Sequence, residues 1–140
     1  MPSIVVDTGP LIALMYKRDR QHEAAKAFFQ RTSSADLIVN AAVLTEAALS
    51  LQPAVDVLAR LLRHAQAALH IDAELDGDLP RIADLLEKYA DLPADFADAS
   101  LIALCERRGL DTIATLDRDF EIYRLPRGKK FRNVFFDAAG

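Results

Sequence analysis

The sequence predicts an α/β fold, with a mostly parallel sheet covered by helices on both faces. Three observations lead there. Short β-branched runs recur along the chain, helical segments with apolar stripes separate them, and the runs are apolar enough to be buried on both sides. The 140 residues fit one ordinary domain, taken as residues 1–140.

Ser3-Ile4-Val5-Val6 reads as a first buried strand, ended by the turn Asp7-Thr8-Gly9-Pro10. Pro10 suits a first helical turn, and Leu11 to Leu14 continue as a short helix. Asp19 is placed to cap a helix from Arg20 to Arg31, with Ala24, Ala27 and Phe28 inward. Leu37-Ile38-Val39 predicts a second strand, followed by helix from Val43 to Leu51. Pro53 opens an amphipathic helix with Val57, Leu58, Leu61 and Leu62 on its apolar side. A third strand is expected at Ala68 to Ile71. A helix then starts at Asp78 and carries Leu79, Ile82, Leu86 and Tyr89 at spacings of three and four. After a break at Pro93, a strong helix runs from Asp95 to Arg108, with Gly109 as its C-cap. Thr112 to Thr115 and Asn133 to Phe136 read as the last strands. The polar stretch from Arg124 to Arg132 is expected to be a flexible arm.

No apolar run approaches the roughly 18–20 residues of a membrane span, so no membrane association is expected. The N-terminus, MPSIVVDTG, lacks a charged segment before a long apolar stretch, so no signal peptide is expected either. The lone Cys105 stands among Leu101, Ile102 and Leu104 and reads as a buried structural thiol. It suits a cytoplasmic protein. His22, His64 and His70 are scattered and read as structural or solvated.

Charge is distributed unevenly. The net value is −4, yet Arg124, Arg127, Lys129, Lys130 and Arg132 crowd into nine residues. Several acids, by contrast, stand in apolar surroundings. Asp7 and Asp117 follow strands, the position where ligands bind in parallel α/β sheets. Asp95 and Asp98 share a face near a helix N-terminus, and Asp98 precedes the apolar run Ala-Ser-Leu-Ile-Ala-Leu. Glu46 is the only charge among the eleven residues AAVLTEAALSL. Capping explains Asp at such positions equally well. A carboxylate buried in apolar surroundings, however, needs a partner or a cation. Carboxylates alone favour a hard ion such as Mg²⁺ or Mn²⁺, and no Cys/His spacing points to zinc.

The chain resembles the PIN domain family, and within it the VapC-type toxins of toxin–antitoxin pairs. The resemblance rests on IVVDTGPLIAL, TEAA, DFADASLIALCERRG and TIATLDRDF, and it covers nearly the full length. It implies a Rossmann-like three-layer α/β/α sandwich and metal-dependent hydrolysis of RNA phosphodiesters, as by the endoribonuclease toxin of a type II toxin–antitoxin system. Carried over by motif, the catalytic, metal-holding acids are Asp7, Glu46, Asp98 and Asp117. Asp95 is an additional candidate ligand, and which of Asp95 and Asp98 points inward is left open. Thr8 and Thr115 match the supporting hydroxyl residues, whereas Asp119 reads as a turn or cap residue. The implied partners are an RNA substrate and an antitoxin. A homodimer is expected from the resemblance and from the surplus Ala and Leu positions between Phe28 and Leu62.

Other α/β readings fit less well. A receiver domain needs an Asp after its central strand, where this chain has Asn40-Ala41-Ala42, and a haloacid-dehalogenase-type phosphohydrolase needs D-x-D or D-x-T after its first strand. A non-catalytic RNA- or partner-binding protein is the main alternative. Action on DNA flaps is not favoured, because no added helical arch is evident. An acidic pocket repels a polyanion, so the basic residues from Arg124 to Arg132, helped by Lys17, Arg18 and Arg20, are the expected RNA-binding groups.

Overall fold

A computed structural model describes residues 2–92 and 94–136. Pro93, where the sequence predicts a break, lies outside the described residues. The elements in order are β1 (Ser3–Val6), α1 (Thr8–Met15), α2 (His22–Arg31), β2 (Asp36–Asn40), α3 (Ala41–Leu51), α4 (Val55–Ala68), β3 (His70–Asp72), α5 (Leu75–Lys88), α6 (Phe96–Arg108), β4 (Thr112–Ala114), β5 (Arg124–Leu125), β6 (Lys129–Lys130) and β7 (Arg132–Asn133). Short 3-10 turns occupy Arg118–Glu121 and Pro126–Gly128.

Five strands form a parallel sheet in the order β3-β2-β1-β4-β7. Val5, Val6, Ile38, Val39, Ile113 and Ala114 are fully buried in it, as expected of strands covered on both faces. With the right hand that parallel crossovers take, this strand order puts α1 to α4 on one face and α5 and α6 on the other, giving the three-layer α/β/α sandwich. Chain order reverses between β1 and β4, so their carboxyl ends open the crevice where such sheets bind ligands. α6 is buried continuously from Ala97 to Cys105 and ends at Gly109, whose φ of 66° is the left-handed conformation a C-cap glycine supplies. Burial pushes the Cys105 thiol up to about 12, which makes it an inert structural thiol.

Several local expectations need correction. α2 begins at His22 rather than Arg20, and Asp19 accepts from the Gln21 amide (2.8 Å) just ahead of it. α3 begins at Ala41, because Asn40 caps it through the Val43 amide. α4 begins at Val55, two residues beyond Pro53, and runs to Ala68, so β3 starts only at His70. α5 begins at Leu75 and carries Pro80 inside it. Its inward side holds Asp78, Ile82 and Leu85, while Leu79 is exposed. Asp78 takes an inward place because Arg107 pairs with both its oxygens, at 2.9 and 3.0 Å. The last strand is only Arg132–Asn133, after which the chain turns so that Phe135 enters the core.

The basic stretch is not a free arm. β5 and β6 pair antiparallel, with Arg124 opposite Lys130 and Leu125 opposite Lys129. Leu125 is buried, and the Arg124 amide donates to the Tyr89 hydroxyl at 3.0 Å. Apolar residues interleaved with the cations anchor the segment.

A second charged cluster holds α6 to β3 and α5. Arg107 donates to Asp72 (2.7 Å), Glu74 (3.0 Å) and Asp78, and Arg108 donates to the other Asp72 oxygen (2.7 Å). Burial pushes the Asp72 carboxyl up, but the Arg107 guanidinium, the Glu74 amide and Arg108 outweigh it and bring it down to about 2. A carboxyl lowered in the folded chain contributes stability that is present above its unfolded value, near 3.8, and is lost as pH falls through about 2. Asp72→Asn should therefore cost roughly 2 kcal/mol at pH 7. Urea melts of both proteins should show that difference shrinking toward pH 2. A constant difference would show that the arginine pairing is not its source.

Candidate active site

The acid at the end of β1 is held before any ligand arrives. Asp7 extends the strand, its amide donating to the Ala114 carbonyl, and its side chain caps α1. One carboxylate oxygen accepts from the Thr8 amide at 2.7 Å and the other from the Thr115 hydroxyl at 2.7 Å. Thr115 Oγ1 in turn accepts from the Asp117 amide at 2.9 Å, so a single hydroxyl links the acids after β1 and β4. Asp117 caps the following 3-10 turn by accepting from the Asp119 amide (2.9 Å), which leaves Asp119 inside that turn.

Two further contacts fix this crevice. A Cβ built on Gly9 would lie 3.2 Å from Leu116 side-chain carbons, so glycine there permits the close approach of α1 to the loop after β4. Asn133 bonds both the amide and the carbonyl of Thr115, at 3.2 and 3.0 Å, and holds that loop from β7. Neither residue is prominent in the sequence. Gly9 reads as an ordinary turn glycine, and Asn133 as a residue of the last strand.

α6 supplies the remaining aspartates through a capping box. Asp95 accepts from the Asp98 amide at 2.8 Å, and the Asp98 carboxylate reaches back to the Asp95 amide at 3.5 Å. Asp98 is buried and Asp95 exposed, which makes Asp98 the inward member. Tyr123, also missed in the sequence, donates its hydroxyl toward Asp98 at 3.4 Å. Its fully buried ring packs edge-on against Tyr89 and Phe120. Glu46 projects from α3 between two open clefts. One, of about 380 Å³, is lined by Asp7, Thr8 and Asp117, and the other, of about 320 Å³, by Asp95 and Phe96.

The electrostatics bind these residues into one unit. Burial, then Asp95, Asp7 and Asp117, push the Asp98 carboxyl up to about 8. Burial also raises Asp7 against the pull of its Thr115 and Thr8 hydrogen bonds, with Asp117 and Asp95 adding to the rise. Glu46 is raised by burial and by neighbouring Asp95 and Asp7. None of the ion pairs among the described residues involves these five acids.

The donor set fits a hard divalent cation, being all carboxylate and hydroxyl oxygen. Thr8 lies close enough to favour the Glu46 anion, yet its hydroxyl oxygen is buried and makes no hydrogen bond. Such an orphaned oxygen among acids is one that an ion or its hydration water would satisfy. Among the described residues, no three acid, histidine or cysteine side chains already close into a ligand shell.

The sequence matches the PIN domain family over residues 4–125. The chain belongs to that family. The fold is shared with solved structures at low identity. Mycobacterium tuberculosis VapC20, described as a sarcin-ricin loop cleaving toxin, superposes with a TM-score of 0.73 at 20% identity, covering 85% of this chain and 93% of that one. VapBC2 from Rickettsia felis, bound to a DNA fragment from its promoter, gives 0.66 at 13% identity, covering 94% and 98%. No curated protein matches the sequence significantly. In this PIN domain, no helix among the described residues is long and apolar enough to cross a membrane.

The basic residues divide. Arg124 is occupied by three carbonyls, those of Glu121 (2.6 Å), Ile122 and Tyr123 (both 3.0 Å). Lys129 pairs with Asp111 at 3.0 Å. Asp111 precedes β4, about 13 Å from Thr115 at 3.3 Å per residue, and Arg132 pairs with Thr112 in the sheet. Both cations thus lie toward the amino edge, away from the acids. Arg127, with φ of 65° at the hairpin tip, and Lys130 are exposed and form no ion pair among the described residues. Lys17, Arg18 and Arg20 are exposed beyond the far end of α1.

A raised acid keeps its proton in the folded PIN domain where the unfolded chain releases it. Stability is then fullest below the unfolded value near 3.8 and declines as pH rises toward 8. In chelator, thermal melts should show lower stability at pH 9 than at pH 5. Asp98→Asn should flatten that dependence and raise the pH 9 midpoint by on the order of 5 °C. A flat wild-type profile would contradict the burial and charge assigned to Asp98.

Proposed function

We propose that this PIN domain is a divalent-metal-dependent endoribonuclease and the toxin of a type II toxin–antitoxin pair. The observation that carries the reading is the gathering of uncompensated acids at the sheet's switch point, around an orphaned Thr8 hydroxyl. The fold it shares with VapC20, a sarcin-ricin loop cleaving toxin, supports the choice of RNA and of toxin.

In this reading Asp7, Glu46, Asp98 and Asp117 hold Mg²⁺ or Mn²⁺, with Asp95 at the rim beside Glu46. A bound divalent ion supplies positive charge for the scissile phosphate and lowers the pKa of water. Thr115 fixes the spacing of Asp7 and Asp117, and Thr8 offers its hydroxyl oxygen to the same centre. Glu46, raised and half-exposed, is placed to orient a water or take its proton. Tyr123 holds Asp98 through its hydroxyl.

The partners proposed are RNA, an antitoxin whose basic side chain caps the acids, and a second copy of the chain in the cytoplasm. Leu49, Val55 and Leu62 are exposed on α3 and α4 and supply apolar surface for the homodimer, whereas Phe28 lies in the core.

Incubation with unstructured RNA should give cleavage in Mn²⁺ or Mg²⁺ and none in chelator. Asp7→Asn and Asp117→Asn should each lower kcat/KM by roughly a hundredfold or more, the scale of losing one preorganised electrostatic contact. RNA binding without metal-dependent cleavage would favour the non-catalytic alternative. Of the basic hairpin, Arg127 and Lys130 remain as phosphate contacts. Neutralising both should flatten the slope of log affinity against log salt by about 1.4, at about 0.7 per single-strand contact. An unchanged slope would remove the hairpin from the RNA path and leave Lys17, Arg18 and Arg20 to be tested.

A further inference from the structure

A third cleft, of about 280 Å³, adjoins the acids on the β7 side and shares Leu116 and Asp117 with the 380 Å³ acidic cleft. Phe131, Phe136 and buried Phe120 are the aromatic residues of its lining. Phe136 is 59% exposed beside this polar centre. It is nonetheless held in place, packing edge-on against buried Phe135 with centroids 4.7 Å apart. Phe131 stands edge-on to buried Phe120 at 5.4 Å. Core rings therefore fix two partly exposed aromatic surfaces before any ligand binds.

The rim is polar. Arg118 and Glu121 are exposed, both line the cleft, and neither forms an ion pair among the described residues. The Asn133 amide group, by contrast, is engaged with Thr115 and the Phe135 amide. A cleft with rigid aromatic walls, a cation and an acceptor at its edge, and a catalytic acid as its boundary matches one chemistry well. Unstacked bases of single-stranded RNA stack on aromatic rings and are read at their edges by charged groups.

We propose that this cleft is a nucleobase subsite. It receives the base of a nucleotide next to the scissile phosphate, stacks it against Phe136 and Phe131, and presents Arg118 and Glu121 to its edge. The inference rests on the ribonuclease reading above and goes beyond it, since it says where the chain selects its substrate. Continuity through Asp117 favours RNA over a protein segment, because a strand placed on the acids runs directly into the cleft.

The test uses the full chain in Mn²⁺ with a short unstructured RNA and a set in which a single abasic position is moved along it. Phe136→Ala should lower kcat/KM on the intact RNA roughly 5- to 150-fold, the range for loss of one stacked base. One abasic position should erase that difference between variant and wild type. Phe136→Leu, which keeps apolar contact with Phe135, should lose nearly as much; wild-type rates in this variant would mean simple packing and overturn the proposal. Phe136→Trp supplies a readout independent of cleavage. Its fluorescence should be quenched by the RNA in the catalytically impaired Asp7→Asn background, and one abasic position should abolish the quench. Cleavage by the wild type with unaltered rates in Phe136→Ala and Phe136→Leu would sink the subsite and leave the ribonuclease reading standing. A position-specific quench in a chain that never cleaves would do the reverse.

Discussion

Repulsion among carboxylates at the carboxyl edge of the sheet is the constraint around which the remaining structure is arranged. Asp7, Asp98 and Asp117 each stand at the start of a helical segment, where partly positive backbone amides meet them. Asp7 also takes the Thr115 hydroxyl. These contacts offset only part of the cost, since burial still leaves Asp7 and Asp98 raised. The balance must come from elsewhere in the fold. The largely buried strands β1, β2 and β4, the enclosed α6, and the Arg107–Asp72 cluster supply it. Stability and charge strain are thus placed at different ends of α6, whose first turn carries Asp98 and whose last turn carries Arg107 and Arg108.

The acids were legible because each stands in sequence that leaves it little water. Capping accounts for three of their positions, for Asp7, Asp95 and Asp117 all cap the turns they begin. The two explanations do not compete here. The amides that cap a helix are the same amides that make a buried carboxylate tolerable, so a site of this kind is built from caps. The choice between Asp95 and Asp98 was not legible. Both lie on one face at a spacing of three, and only the packing of α6 against the sheet shows that Asp98 goes inward.

Helix and strand periodicity recovered the alternating architecture but not features that depend on distant partners. Asp78 displaces Leu79 from the inward face of α5 because Arg107, 29 residues away, pairs with it. The hairpin from Arg124 to Lys130 reads as a polar loop until Leu125 and the Tyr89 hydroxyl are seen to hold it. Gly9 reads only as a turn glycine and Asn133 only as a strand residue, since their work is a close approach to Leu116 and a pair of bonds to Thr115. Such contacts link residues that are remote in sequence, and no window along the chain contains both partners.

The cations fall into two groups. Arg31 bonds the Val134 and Phe135 carbonyls, Arg81 pairs with Glu106, and Arg107 and Arg108 hold Asp72. Arg124 and Lys129 secure the hairpin. These residues are committed to the fold and are poorly placed to meet a polyanion. Arg118, Arg127 and Lys130, together with Lys17, Arg18 and Arg20, form no ion pair among the described residues and are exposed. In a chain of net charge −4, any attraction for RNA must come from local charge rather than the total. Arg118 differs from the other five because it is the next residue after Asp117. A phosphate there would meet its charge at the boundary between the acidic cleft and the aromatic one, where electrostatic attraction and base stacking act on adjacent parts of one nucleotide.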